Sequence, residues 1–85
     1  MAKYKIEVKN SAVKELKFLP KKDLGKILKK IESLADNPRP VDSKKMTNDE
    51  KYRMRYGTYR ILYSIEDDIL TVYIVKIAHR KDVYR

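Results

Sequence analysis

The segment Tyr52-Arg53-Met54-Arg55-Tyr56-Gly57-Thr58-Tyr59-Arg60-Ile61-Leu62-Tyr63 predicts a β-hairpin. Apolar and polar residues alternate on both sides of Gly57-Thr58, and a two-residue turn at this dipeptide fixes which residues face each other. Counting outward from the turn places Arg55 directly opposite Arg60. Alternation then puts the tyrosines and aliphatic side chains on one face, and three arginines on the other: Arg53, Arg55 and Arg60.

The pair of Arg55 and Arg60 is unfavourable for folding, because like charges directly opposite each other across two strands repel. No Asp or Glu lies between residues 51 and 64 to compensate within the hairpin. A phosphate group between the two guanidinium groups would turn this repulsion into binding. The pattern therefore leaves two interpretations: the arginines bind an anion, or they extend into water or pair with acids elsewhere, such as Glu66 or Asp82.

Hydrophobic spacing on either side of the hairpin predicts the other elements. Before the hairpin they are a strand at Tyr4–Lys9, a helix over Ala12–Leu19, a second helix over Leu24–Ala35 and a loop at Asn37–Glu50. An Asn10-Ser11 cap begins the first helix and Pro20 ends it, while Asn37-Pro38 ends the second. The hairpin strands are Tyr52–Tyr56 and Tyr59–Glu66, and a turn at Asp67-Asp68 leads to a last strand at Ile69–Ile77. This βααβββ order predicts an α+β domain with a helical hairpin on one face of a sheet. The last strand has no polar face, so we expect it to be central and covered on both sides.

Length and composition limit the class of protein. The 85 residues suffice for a single domain over 1–85. The absence of cysteine excludes disulfides and thiolate metal sites and is typical of a reducing cytosol. No apolar run approaches the roughly 20 residues needed to span a bilayer, and the N-terminus has no apolar signal-peptide stretch, so we expect a cytoplasmic protein. Twenty-one Lys and Arg against twelve Asp and Glu give a net charge of +9. This excess favours nucleic acid or an anionic membrane surface as a partner; the alternative is a well-solvated lysine-rich surface.

The end of the chain, His79-Arg80-Lys81-Asp82-Val83-Tyr84-Arg85, carries further side chains with useful chemistry directly after the last predicted strand. It contains the only histidine, whose unperturbed pKa of about 6.5 allows it to act as an acid or a base near neutral pH. The alternative is an ordinary surface histidine.

The hairpin segment, together with His79-Arg80 and Val83-Tyr84, resembles the characteristic core of the RelE/ParE toxin superfamily. So do Ala-Val-Lys-Glu-Leu at residues 12–16 and Asn-Pro-Arg-Pro at residues 37–40. The resemblance covers nearly the whole chain in the right order. It implies a RelE-like fold, with two helices on a small curved, mainly antiparallel sheet. It also implies a toxin of a type II toxin–antitoxin pair, held inactive by a co-expressed RelB-like antitoxin.

For the RelE branch, the resemblance implies a ribosome-dependent endoribonuclease that cleaves messenger RNA in the A site through attack of the 2′-hydroxyl on the phosphodiester. Its partners would be a 70S-type ribosome and messenger RNA, and it would need no metal and no cofactor. Two alternatives remain. One is a ParE-like toxin that inhibits DNA gyrase, and the other is a module that occupies ribosomal or messenger RNA without cutting it. The presence of Arg60, Arg80 and Tyr84 favours the nuclease.

Carried over to this sequence, the resemblance implies that Arg60 binds the phosphate, that Arg80 stabilises charge or protonates the leaving group, and that Tyr84 stacks on or orients the substrate. Arg53 and Arg55 stand where cleaving members carry lysines, and a guanidinium is a poor general base. A proton carrier is therefore sought in His79 or Tyr84. The predicted catalytic residues are Arg55, Arg60, His79, Arg80 and Tyr84, and the predicted RNA-binding residues are Arg53, Lys44, Lys45, Lys22, Lys26 and Lys30.

Overall fold

A computed structural model describes residues 3–46 and 51–79, with only the backbone of His79, and it confirms the predicted architecture with one added strand. The elements are β1 (Lys5–Val8), α1 (Asn10–Lys17), α2 (Lys21–Ser33), β2 (Ser43–Lys45), β3 (Tyr52–Tyr56), β4 (Tyr59–Glu66) and β5 (Thr71–His79). A short 3-10 helix, Asp67–Ile69, joins β4 to β5. No helix in the described part of the chain is long and apolar enough to cross a membrane.

The five strands form one mixed sheet in the order β1-β5-β4-β3-β2. β1 runs parallel to β5, and the other neighbouring strands are antiparallel. β5 lies inside the sheet between β1 and β4, as its mainly apolar sequence predicts. Its two faces are covered unequally. The residues facing the helices are buried, whereas the opposite face combines buried Thr71 and Ala78 with exposed Lys76.

The core lies between the two helices and one face of the sheet. Helical spacing places Ile27, Ile31 and Leu34 on the inner side of the second helix and its C-terminal end, each at most 3% exposed. They pack against alternate residues of the strands and against Ala12 of α1. The strand residues of this buried cluster are Met54, Ile61, Tyr63, Val72, Ile74 and Ile77. Full burial of one such side chain contributes roughly 1.5–3 kcal/mol, so this layer carries most of the folding free energy.

The hairpin has the predicted register. Arg55 pairs with Arg60, and the turn residue Gly57 has φ +56°, a left-handed conformation that glycine adopts without steric cost. The pairing of β4 with β5 is interrupted once. Leu62 pairs with Lys76 but Tyr63 pairs with Ile74, so one extra residue of β5 bulges out between them.

Several predicted boundaries were wrong. The loop predicted at Asn37–Glu50 contains β2, which pairs with β3; residues 47–50 lie outside the described part. The first helix starts at Asn10 with no side-chain cap, and both helices end before the predicted proline signals. The last strand begins at Thr71 rather than Ile69, because Ile69 belongs to the 3-10 helix and Leu70 turns the chain with φ +47°.

The loop after α2 is fixed by a polar network around Arg39. The Arg39 Nη2 donates a hydrogen bond to Asp67 Oδ2 at 2.8 Å, and its Nε donates to the Tyr52 hydroxyl at 3.1 Å. Asp67 also accepts a hydrogen bond from the Tyr4 hydroxyl at 2.6 Å. The Asn-Pro-Arg-Pro segment therefore ties the end of the helical layer to β3 and to the β4–β5 connection.

We expect this network to make folding stability depend on pH in the acidic range. The Arg39 guanidinium, and after it the Tyr4 hydroxyl, hold the pKa of the Asp67 carboxyl below its usual value. The contribution of Asp67 is present above the unfolded pKa of about 4 and is lost as the pH falls through the lower pKa of the folded state. Urea unfolding between about pH 6 and pH 2 should show a steeper acidic loss in the wild type than in Asp67→Asn. Asp68→Asn is the control from the same turn and should follow the wild type; equal slopes for all three proteins would refute the role of Asp67.

Candidate functional site

The face of the sheet opposite the helices carries four cations in two cross-strand pairs. Arg55 of β3 lies opposite Arg60 of β4, and Lys44 of β2 lies opposite Arg53 of β3. Because Arg53 and Arg55 are two residues apart on one strand, both pairs share this face. We call Lys44, Arg53, Arg55 and Arg60 the basic face. Each pair is destabilising by itself, since like charges stand directly opposite each other.

Arg60 is the buried member of the basic face. It is 2% exposed, although the guanidinium is among the most strongly polar groups in proteins and Arg55 opposite is exposed. On the other side of β4, Arg60 pairs with Ala78 of β5, which is also buried. Burying a charge costs free energy unless other groups compensate for it, so a buried arginine is an unusual feature of a sheet face.

Arg53 and Arg55 keep their charges available to a ligand. Within residues 3–46 and 51–79, no carboxylate forms an ion pair with either side chain. The nearby Asp42 carboxylate instead binds Lys30 Nζ at 2.5 Å, and this contact lowers the pKa of Asp42. For Arg55, the alternative of an ion pair with Glu66 is therefore not realised, while Asp82, the other acid considered, lies outside the described residues.

Shallow hollows follow the basic face along β3. One of about 20 Å³ lies at the hairpin turn and is lined by Arg55, Gly57, Thr58, Tyr59 and Arg60. A second of about 250 Å³ is lined by Asp42, Lys44, Arg53 and Arg55, and a third of about 290 Å³ is lined by Lys44, Lys45, Met46 and Arg53. The first holds little more than one water, whereas the other two are open and wide. Such a surface suits an extended polyanion better than a small enclosed metabolite.

Tyr59 is a residue of this region that the sequence analysis did not single out. It lines the hollow at the turn, and its hydroxyl donates to Asp23 Oδ2 of α2 at 3.5 Å. Partial burial, and then the Asp23 carboxylate, raise the pKa of the Tyr59 hydroxyl, so this group stays protonated near neutral pH. Tyr59 could have been identified from its position directly after Gly57-Thr58, because the residues that flank a two-residue turn lie next to any hollow at that turn.

The other predicted site residues are placed as follows. Lys22 and Lys26 are exposed on α2, in the layer on the opposite side of the sheet, and Lys30 of the same helix is bound to Asp42. Lys45 pairs with Tyr52, so by alternation it is not one of the four cations of the basic face, although it lines the third hollow beside Lys44 and Arg53. The backbone of His79 pairs with Tyr59 at the end of β5. The remaining two predicted catalytic residues, Arg80 and Tyr84, lie outside the described residues.

Comparison with known proteins identifies the family to which this chain belongs. A family model described as "ParE toxin of type II toxin-antitoxin system, parDE" matches residues 6–84. The chain belongs to the RelE/ParE toxin superfamily. This toxin is 36% identical over 87 aligned residues to RelE1 of Methanocaldococcus jannaschii, an alignment that covers 98% of the chain and 97% of that protein.

Two solved toxin–antitoxin complexes contain chains with the same fold as this toxin. A chain of the RelBE2 complex of Mycobacterium tuberculosis superposes with a TM-score of 0.83 at 29% identity and 94% coverage of both chains. A chain of the archaeal RelE–RelB complex of Pyrococcus horikoshii superposes with a TM-score of 0.84 at 28% identity, covering 92% of this toxin and 96% of that chain. The protein is thus a toxin of a type II toxin–antitoxin system with a RelE-like fold.

Proposed function

We propose that this toxin is a ribosome-dependent endoribonuclease that cleaves messenger RNA in the ribosomal A site. The observation that carries the proposal is the cross-strand pair Arg55–Arg60 beside the pair Lys44–Arg53, on a sheet face where Arg53 and Arg55 have no carboxylate partner in the described chain. Two like-charged pairs on one face weaken the sheet by themselves. A phosphodiester backbone placed between them would offset the repulsion, because each guanidinium can offer it a planar set of donors.

The chemistry requires no covalent intermediate with the protein. The ribose 2′-oxygen attacks the neighbouring phosphorus, the bond from phosphorus to the 5′-oxygen breaks, and the products are a 2′,3′-cyclic phosphate and a 5′-hydroxyl. Arg55 and Arg60 flank the phosphate and stabilise the negative charge that grows on its oxygens. By analogy with the removal of one oxyanion donor, each such contact contributes about 3–4 kcal/mol to the transition state.

Proton transfer is assigned to residues at the end of β5 and beyond it. One proton leaves the 2′-hydroxyl and one reaches the 5′-oxygen, and guanidinium groups are poor bases near neutral pH. His79, whose backbone ends β5 opposite Tyr59, is the proposed carrier, with Tyr84 as the other candidate and Arg80 as a further source of positive charge. These three roles rest on residue chemistry and on the resemblance to RelE-type toxins.

The ribosome is proposed to hold the message in the orientation that the shallow site cannot impose by itself. A hollow of about 20 Å³ at the turn cannot by itself hold a nucleotide in line for attack. A well-held geometry can lower a barrier by about 7–11 kcal/mol, so a message fixed in the ribosome is a far better substrate than free RNA. Lys22, Lys26 and Lys45, which do not belong to the basic face, are proposed to contact ribosomal RNA. Lys30 has a weaker case, because it already binds Asp42.

A RelB-like antitoxin is the proposed inhibitor. The solved complexes of the relatives are described as toxin–antitoxin assemblies. Co-expression with the protein encoded next to this chain should give a stable complex in which cleavage is suppressed.

Two assays run side by side separate the nuclease from a gyrase inhibitor. The family model carries the ParE description, which makes gyrase the second candidate target. Messages bound to 70S ribosomes should be cut by the toxin, while supercoiling by purified gyrase should be unaffected at the same concentrations. Inhibited supercoiling with intact message would replace the proposal by the ParE alternative, and a stalled but uncut message would indicate an RNA-binding module.

We expect the basic face to give RNA binding a measurable salt dependence. The logarithm of affinity for single-stranded RNA falls by about 0.7 per neutralised phosphate for each tenfold rise in salt concentration. Arg53→Ala should therefore reduce the slope by about 0.7, measured with an oligonucleotide carrying a 2′-deoxy linkage to prevent cutting. Lys29→Ala removes an exposed lysine from α2 and should leave the slope unchanged. An unchanged slope for Arg53→Ala would remove it from the binding surface.

A further inference from the structure

The last residues of β5 extend beyond the strand that pairs with its outer edge. β1 ends at Val8 opposite Ile74, and the Lys9 N–H donates the next backbone hydrogen bond to the Ile74 carbonyl at 2.9 Å. Past this point, β5 continues to His79 with α1 beside it instead of a strand. Backbone N–H groups on that edge need another acceptor, because an unsatisfied buried amide is costly.

Glu15 of α1 supplies this acceptor. Its Oε1 accepts a hydrogen bond from the Ile77 N–H at 2.9 Å, and its Oε2 accepts one from Lys76 Nζ at 3.2 Å. The Glu15 side chain is only 29% exposed, and a carboxylate is a stronger acceptor for a backbone amide than a neutral carbonyl. One side chain thus takes the place of the missing strand at this edge.

The contact between Glu15 and Ile77 lies close to an irregularity in β5. It follows the bulge in β5, where the pairing with β4 shifts from Tyr63–Ile74 to Leu62–Lys76. A slip of one residue moves every following side chain to the other face of the sheet, so a side-chain contact directly after a bulge adds to the pairing with β4 in holding the register. Ile77 is followed at once by Ala78, the neighbour of Arg60, and then by His79.

We propose that Glu15 is a positioning residue, whose carboxylate locks the end of β5 in register so that Arg60 and His79 stand in their places at the site. It acts through the β5 backbone and touches no substrate. The functional part of this inference rests on the proposed nuclease activity, whereas the structural part does not.

Amide hydrogen exchange tests the lock directly. The Ile77 amide should be protected in the wild type, and in Glu15→Ala the exchange at Ile77 and Ala78 should accelerate by about tenfold or more, with Met54 unchanged. Glu15→Gln keeps a side-chain oxygen and should stay close to the wild type, as should Lys76→Ala, which removes only the ion pair. Glu32→Ala removes an exposed acid from α2 and is the matched control. An unprotected Ile77 amide in the wild type, or unaltered exchange in Glu15→Ala, would overturn the proposal.

Kinetics on ribosome-bound message test the consequence for the site. Glu15→Ala should lower kcat by about tenfold with little change in KM, and Glu15→Gln should restore most of it, in parallel with the exchange data. Wild-type kcat in Glu15→Ala together with accelerated exchange would show that the lock does not serve the site. If the wild type itself cuts no message, the proposed function fails, and the exchange results alone decide whether Glu15 sets the register.

Discussion

Arg60→Ala is expected to lower the rate constant for cleavage of ribosome-bound message by about 100- to 1,000-fold. Arg60 lies opposite Arg55 on the basic face, so in the proposed site the phosphate binds between the two guanidinium groups. A cationic donor at this position stabilises the negative charge that grows in the transition state. Single-turnover cleavage on programmed ribosomes measures this effect apart from product release.

A second variant separates catalysis from folding. Because Arg60 is buried, its replacement can also change stability, whereas the exposed Arg55 can be truncated with little disturbance of the fold. Arg55→Ala should also lose most of its cleavage activity. Its urea unfolding midpoint should equal that of the wild type. Lys29→Ala, which removes an exposed lysine from α2, is the charge-matched control and should cleave normally. Cleavage at the wild-type rate by both arginine variants would remove the pair from the mechanism.

Tyr63→Ala should be the most destabilising of the substitutions considered, at about 3–5 kcal/mol. The Tyr63 ring is fully buried in the central layer and stacks on Tyr52 with ring centroids 5.8 Å apart. Its hydroxyl donates to the Pro38 carbonyl at 2.9 Å, so the variant loses packing and a buried hydrogen bond together. In a domain of this size, such a loss can approach the whole free energy of unfolding, which urea denaturation measures.

Tyr63→Phe isolates the hydroxyl from the ring. It should cost only about 1 kcal/mol, the net contribution of one hydrogen bond, with a further penalty for the Pro38 carbonyl left without its donor. Tyr73→Phe is the matched control, since the Tyr73 hydroxyl makes no hydrogen bond within the described part of the chain. A stability loss for Tyr63→Phe no larger than for Tyr73→Phe would show that the bond to Pro38 is not a stabilising contact.

The hairpin could be predicted from sequence because its register is set locally. Gly57-Thr58 fixes the turn, and the pairing of Arg55 with Arg60 follows by counting. β2 could not be predicted in this way. Its sequence Ser-Lys-Lys has no apolar alternation, and it exists as a strand because β3 offers it backbone partners. Short, lysine-rich edge strands also discourage pairing with other chains, so their sequences resemble loops.

The burial of Arg60 could not be predicted from the hairpin. The alternation of the hairpin placed Arg60 on the outer face, but its neighbour on β5, Ala78, is set by the β4–β5 pairing. Lys30 shows the same limit. Its charge on an amphipathic helix suggested RNA binding, while the fold brought Asp42 within 2.5 Å of it. Sequence patterns therefore predicted which face carries the charge, and tertiary contacts decided which charges remain available.

The ends of the RNA fragments produced on ribosome-bound message test the account most directly. The wild-type toxin should generate an upstream fragment ending in a 2′,3′-cyclic phosphate and a downstream fragment beginning with a 5′-hydroxyl, and the double variant Arg55→Ala, Arg60→Ala should generate neither. An intact message with the wild type would contradict the account, and so would the same cut made equally fast by the double variant.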